Sequence, residues 1–396
     1  MNAPIASSHL PVNRRVATVT ACLLLAGCVY LATTVSGRQA ALFVVGALIG
    51  LAAYHSDFSF PATWRLLITE RDGTGVRAHA LMLAVGVTLF VPALSLGSLF
   101  GVTLNPTIAP VSASLWVGAL ISGIGMQLSS RCACGTLYTS SGGSSAMITT
   151  LIAFICGSVL ATAHMAYWNA WPAWQPISLH ASFGALPALI LTWCAIGCIV
   201  IATRVIERRP GESTSTQSWL RGPWPLLAGA LTLAALNFAT LVLSGHAWRV
   251  TSAFALWGAK ALMASGFDVT HWAYWTTPDN AAALAAPLSH DVPSIMNIGI
   301  IIGALLAAAL AGRYGPVWRI PWRPWLAATC GGFLLGYGAR LAFGSNVGAY
   351  FSGVVSTSVH GWVWGIAAFA GSIIGIRLRP LFGLPLRGGT PVHDCT

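Results

Sequence analysis

The sequence predicts an all-α polytopic membrane protein of about ten transmembrane helices, with re-entrant half-helices and an inverted internal repeat. Three observations carry that prediction. Of 396 residues, 56% are hydrophobic and 7% charged, and the mean hydropathy is +0.74. A soluble globular chain carries about 25% charged residues, so water is not the main solvent here. Apolar runs of membrane-spanning length recur from end to end. Finally, Gly123-Ile124-Gly125-Met126-Gln127-Leu128 with Cys132 and Gly135 is echoed by Gly336-Tyr337-Gly338-Ala339-Arg340-Leu341 with Ser345 and Gly348. The two motifs lie 213 positions apart.

A spanning helix needs about 20 apolar residues, within a range of roughly 17 to 25. The run 16–35 follows Arg14-Arg15 with no clear small-residue cleavage site behind it, which reads as a retained first helix rather than a signal peptide. Runs 39–54 and 78–97 come next, separated by a short apolar piece, 55–68, broken by Asp57, Ser59 and Pro61. Runs 112–128 and 146–168 flank a second interruption, 129–145, with Cys132, Cys134 and Gly142-Gly143. Run 183–203 leads into a polar linker, 205–222, and run 224–244 follows it. A third interruption, 251–267, contains Lys260, the only lysine. Runs 294–312, 325–343 and 360–376 complete the set, with 344–359, rich in Gly, Ser, Asn and Thr, as the fourth interruption. Non-helical backbone at membrane depth survives only where protein buries it or a cavity wets it. The four interruptions therefore read as re-entrant segments rather than ordinary loops.

The formal charge is +11, but the nineteen arginines sit singly at segment ends and form no stripe for nucleic acid. With ten spans, Arg14-Arg15, Arg65/Arg71/Arg77, Arg204/Arg208/Arg209/Arg221, Arg313/Arg319/Arg323 and Arg377/Arg379/Arg387 share one side. The positive-inside rule makes that side the cytoplasm and places both termini there. Trp168/Trp171/Trp174, Trp248 and Trp272/Tyr274/Trp275 are then expected at the far interface.

The same count puts the first two interruptions on the cytoplasmic side and the last two on the outer side. That is an inverted repeat within a single membrane domain, 1–396, with halves 39–168 and 224–376. Matched interruptions of this kind point to the central site of a transporter. Half-helices whose N-termini face the centre offer free amides and a positive dipole end, which suits an anion. Only nine acidic residues exist, most near segment ends, so no intramembrane proton relay of carboxylates is visible. Lys260, Arg131 and Arg340 either raise the local potential or, for the two arginines, snorkel to the interface.

Cys132 is the most chemical residue. A thiol beside a cation and near a helix terminus becomes nucleophilic or a strong S–H donor. A soft-metal Cys-x-Cys with Cys134, or a pair of structural thiols, are the other readings. Two thiols without histidine are too few for a closed zinc site. Cys22, Cys28, Cys156, Cys194, Cys198 and Cys330 read as small apolar packing residues, and Cys395 is assigned no role.

The block from Gly331 through Gly353, followed by Ser358-Val359-His360-Gly361-Trp362-Val363-Trp364, resembles the YeeE/YedE family. So do Gly123–Leu128 with Cys132-Ala133-Cys134-Gly135-Thr136-Leu137, Phe58-Ser59-Phe60 with Arg65 and Arg71-Asp72, and Trp257-Gly258-Ala259-Lys260. The resemblance covers about residues 39–383 and leans to the YedE-like branch, which is linked to selenium metabolism. It implies a bacterial inner-membrane transporter taking up a small sulfur-containing anion such as thiosulfate, or a selenium compound. In that family, cysteines in the interruptions relay thiosulfate by S–H···S contacts. Here Cys132 stands at a family cysteine, Ser59 and Ser345 replace two others, and Cys134 takes a position that is often serine. The expected route residues are Ser59, Cys132, Cys134, Ser345, Asn346 and Lys260, with Gly135 and Gly348 allowing close backbone approach. No enzyme activity, cofactor, metal or nucleic acid is expected. The expected partners are the anion, the lipid bilayer and a small cytoplasmic sulfur-transfer protein. The alternative is a membrane-bound thiol carrier in which Cys132 forms a persulfide.

Overall fold

Apolar runs of this length become helices because lipid offers no partner to a backbone amide, so each segment must satisfy its own. A computed structural model describes residues 11–208, 218–315 and 320–386. Arg209, Arg319, Arg387, Cys395 and half of the expected linker, 209–217, lie outside those residues.

Helix α1 (Arg14–Thr34) starts at Asn13, whose side chain accepts from the Val16 amide. Helix α2 (Gly37–Ser56) is capped by Ser36 and stops at Asp57, which takes a left-handed conformation at φ 43°. Then come the half-helix α3 (Phe60–Glu70), the span α4 (Thr74–Leu96), α5 (Ala113–Ser129), the half-helix α6 (Ala133–Ser140) and α7 (Ser145–Ala163). Short helices α8 (Met165–Asn169) and α9 (Leu179–Phe183) precede α10 (Ala185–Ile206). The second half runs α11 (Leu226–Ser244), half-helix α12 (Val250–Ala264), short α13 (Pro278–Ala285), α14 (Val292–Leu310) and α15 (Trp322–Leu341). It ends with a π-helical turn (Asn346–Phe351), α16 (Ser352–Val355) and α17 (Val359–Leu378).

Among the described residues, nine helices are long and apolar enough to cross a membrane, and α12 is a shorter apolar helix. Helix α5, with 17 residues, sits at the low end of the spanning range. The protein is an all-α polytopic membrane protein. Its strands are pairs of two residues, 98–99 with 102–103 and 111–112 with 173–174. The run expected over 146–168 is instead two helices, broken at His164.

Helix α2 packs on α14 and α11 on α4, α5 on α17 and α15 on α7, and α2 meets α11 as α5 meets α15. At the α5/α15 crossing the backbones touch. A Cβ built on Gly118 would lie 2.6 Å from the Gly338 carbonyl oxygen, and one on Gly125 would lie 2.7 Å from that of Gly331. Small residues let membrane helices approach this closely, and dispersion then holds them together. The two helices also end alike: Ser130 at φ 62° and Phe343 at φ 59° are both left-handed, 213 positions apart. For a phenylalanine that conformation is strained.

Contacts bring Arg71, Arg77 and Arg208 to a common face. Arg77 bonds Glu207 at 2.7 Å, and the Arg208 amide donates to the Arg71 carbonyl. Half-helices α3 and α6 end toward that face, where Gly142 accepts from the Gly315 amide. Helix α16 ends toward the other: the Thr107 amide donates to Ser356 Oγ and the Leu179 amide to the Thr357 carbonyl.

Cys22, Cys156, Cys194 and Cys198 are exposed on helix surfaces, which corrects their expected role as packing residues.

Candidate functional site

Each interruption begins a helix deep inside the protein. Ser59, in extended conformation, is the cap residue of α3, and Pro61 follows in its first turn. Proline suits that position because its missing N–H would have had no partner. Cys132 caps α6, its sulfur accepting from the Gly135 amide at 3.4 Å. Arg249 precedes α12. Ser345 precedes the π-helical turn, and its carbonyl accepts from the Ala349 amide at 2.8 Å.

These four starts converge. Phe58 and Phe60 from α3, Cys132 and Cys134 from α6, Trp248 before α12, and Val347 and Phe351 from the π-helical turn line one cavity. Ala53 of α2, Met82 of α4, and Leu233 and Asn237 of α11 close it. The cavity measures about 20 Å³, space for roughly one water and too small for an oxyanion. Among the described residues no acidic side chain lines it.

The first amides of a helix have no intrahelical partner and carry its positive end. Each such terminus favours an anion by about 0.3–1 kcal/mol when exposed and up to about 2 when partly buried. Several together, in a site that excludes water, offset part of the cost of stripping an anion of its hydration. Side chains add donors. Trp248 is 2% exposed, and its Nε1 has no partner. Ser59 Oγ, Asn237 Oδ1 and both polar atoms of Asn346 are also buried without partners. Asn237 spends its amide nitrogen on the Leu233 carbonyl at 2.9 Å, which leaves its oxygen as a buried acceptor. Orphan polar atoms in such number around one cavity mark a place where a polar ligand completes the bonding. Aromatic packing stiffens the wall: Phe60 stacks on His79 at 3.9 Å, and Tyr350 stacks on Trp364 at 6.1 Å.

The expected route residues separate on inspection. Cys132 and Cys134 line the cavity. Ser59 and Asn346 flank lining residues and carry orphan atoms. Ser345 is buried beside them but does not line the cavity. Gly135 is tightly held: a Cβ there would meet Arg131 Cβ at 3.2 Å and Cys132 Sγ at 3.5 Å. Gly348 is open, its nearest neighbour 3.9 Å away, so packing does not require glycine at this position. Lys260 lies away from the cavity, its ammonium donating to the carbonyls of Leu284 at 2.7 Å and Ala286 at 2.8 Å.

The structure decides between the two readings of the arginines and overturns the one for Trp248. Arg131 does not snorkel: it is 1% exposed and pairs with Asp57 at 2.6 Å and Tyr138 Oη at 3.1 Å. Arg340 is buried too, bonding Tyr274 Oη at 2.5 Å with its guanidinium over the Tyr274 ring. Trp248 is not an interfacial anchor but a cavity wall. The signal for Trp248 was present in the sequence. Trp248 stands three residues before the third interruption, 251–267, and two before the start of α12. Asn237 and Met82, inside unbroken spans, gave no such signal.

A profile of the family described as "Sulphur transport" matches residues 55–374. The chain is 30% identical over 176 residues to "Probable transporter YedE" of Salmonella typhimurium, and 30% over 175 residues to the Escherichia coli protein of that name. Each alignment spans 43% of this chain and 42% of the relative. It is also 26% identical over 344 residues to "Thiosulfate transporter TsuA" of Spirochaeta thermophila, covering 83% of this chain and 95% of that one.

Proposed function

Because the chain belongs to the sulphur-transport family, YeeE/YedE, we propose that it carries a small sulfur-containing oxyanion through the central cavity and into the cell. The single observation behind this reading is the convergence of four helix starts on an acid-free cavity walled by two thiols and the Trp248 N–H. Thiosulfate matches both characters of that wall. Its sulfane sulfur would lie against the soft Cys132 and Cys134, and its oxygens would accept from Trp248, Ser59 and the helix-start amides. Ser59 and Ser345, at cysteine stations of the family and buried beside the wall, would offer hydroxyls to an anion once the cavity opens, and hydroxyls are harder donors than thiols. A tetrahedral selenium oxyanion of the same charge, such as selenate, is the second member of the substrate class.

In this proposal the halves 39–168 and 224–376 are inverted repeats. The pairing of helices supports it. Exchanging α2 with α11, α4 with α14, α5 with α15 and α7 with α17 turns each major contact into another that exists. The arginine-rich face is the cytoplasmic one, which puts both termini inside. Because the cavity is smaller than its cargo, transport requires α3 and α6, or α12 and the π-helical turn, to move apart in turn.

The test is uptake of radiolabelled thiosulfate into sealed proteoliposomes, with sulfite, sulfate, selenite and sulfide as competitors. Saturable uptake displaced by the preferred anion supports transport. Labelling of Cys132 as a persulfide without flux would replace it with the thiol-carrier reading, in which a small cytoplasmic sulfur-transfer protein collects the sulfur.

A further inference from the structure

Below the cavity, toward the arginine-rich face, three guanidiniums are buried together around the end of α5. Arg65 on α3 is 4% exposed, Arg131 1% and Arg379 2%. Gln127 ties the group: its Nε2 donates to the Pro61 carbonyl at 3.0 Å, one helical turn before Arg65, and its carbonyl accepts from Arg379 Nη1 at 2.5 Å. Ser130 Oγ takes a second bond from Arg379 at 3.0 Å, and Ser129 Oγ donates to the Arg131 carbonyl at 2.9 Å. Arg65 lies within electrostatic reach of Arg131, and Arg379 within reach of Arg65.

The cluster is incompletely neutralised. Asp57 pairs with Arg131, and Glu70 lies near Arg65, which among the described residues leaves three cations against two carboxylates. Its donors are also unspent. Arg65 Nε and Nη1, and Arg131 Nε and Nη2, are buried without a partner. Four orphan N–H-bearing nitrogens on two buried guanidiniums are costly unless an acceptor arrives, and guanidinium edges match the oxygens of an oxyanion two at a time. Position matters as well. Arg131 precedes Cys132 in the cavity wall, so one backbone step joins the two places.

We propose that Arg65 and Arg131, framed by Arg379 and Gln127, form a second oxyanion station that receives the anion after the central cavity. This rests on the transport reading and assigns it an exit step. The cavity would grip the anion partly through soft thiols, whereas this station offers only hard N–H donors and grips oxygen atoms. A sulfur oxyanion passing from one to the other turns from sulfur-led to oxygen-led contact.

The experiment is equilibrium binding of radiolabelled thiosulfate and sulfate to the purified full chain in detergent, for the wild type, Arg65→Gln, Arg65→Lys and Cys132→Ala. The expected result is two anions per wild-type chain. Arg65→Gln should lose one site, weakened about tenfold to a hundredfold, as charge-assisted hydrogen bonds imply. Arg65→Lys should weaken it less, because charge is kept and the fork is lost. Cys132→Ala should weaken the other site and bind thiosulfate worse than sulfate. A folded Arg65→Gln protein with wild-type stoichiometry and affinity overturns the station and leaves the transport reading standing. Loss of binding with Arg65→Gln but none with Cys132→Ala supports the station and removes the cavity thiol. If Arg65→Gln fails to fold, unchanged affinity in Arg65→Lys overturns the station. Native mass spectrometry covers the other source of oxyanions: an anionic lipid that copurifies only when Arg65 is present, with no free anion bound, also overturns it.

Discussion

Replacing Trp248 by phenylalanine removes one N–H and part of one ring from the wall of the central cavity. In the free protein that N–H is buried and unpartnered. A buried unsatisfied donor costs about 1–3 kcal/mol, which the substitution recovers. Against this stands the space left by the smaller ring. A gap of roughly 40 Å³ costs about 1 kcal/mol at ~24 cal/mol per Å³. The free protein is therefore expected to melt at the same temperature as the wild type or slightly higher. With the anion bound the sign reverses. A hydrogen bond to a charged group is worth about 1.5–3 kcal/mol, so affinity should fall about tenfold to a hundredfold. The assay pairs thermal melting in detergent with concentration-dependent uptake into proteoliposomes. A protein that melts much lower yet keeps its affinity would refute the reasoning, because Trp248 would then be a packing residue with a satisfied donor.

Other outcomes follow from the same geometry. Cys132→Ala removes a cavity thiol and should weaken anion binding by about 1–3 kcal/mol, while unchanged uptake by a folded variant would make the thiol structural. Gly338→Ala places a methyl group against the Gly118 carbonyl and 2.7 Å from Ser122 Oγ, and should cost about 1–3 kcal/mol in melting experiments. Gly197→Ala meets nothing within 4 Å and should be neutral or slightly stabilising, which calibrates that comparison. Lys260→Met should lower the melting temperature by freeing the Leu284 and Ala286 carbonyls, with anion affinity unchanged; a loss of affinity would return Lys260 to the route. Arg77 donates to Glu207 and holds its carboxyl below the usual carboxylate range. The stability that this pair adds is complete above the unfolded-chain value of about 4.3 and disappears as pH falls through the lower folded value. The melting difference between the wild type and Glu207→Gln should thus be flat near neutrality and shrink below about pH 4.

Chain length and hydropathy alone determined the membrane class, the spans and the four interruptions, because lipid forces each apolar run to satisfy its own backbone and so makes the signal local. The 213-residue echo paired Cys132 with Ser345, the residue that precedes the π-helical turn. What only the tertiary structure decided is which buried polar groups face one another. Trp248 carries an apolar ring and one polar tip, and such a residue suits a headgroup interface as well as a dry cavity. Asn237 sits in an unbroken span and becomes a site residue only because α11 packs against α2 and α4. The partners of Arg131 and Lys260 were likewise not legible in the sequence. Asp57, 74 positions away, draws the first inward, and the carbonyls that end α13 hold the second aside. Charge type is written in the sequence, but the partner that neutralises it is fixed by long-range packing.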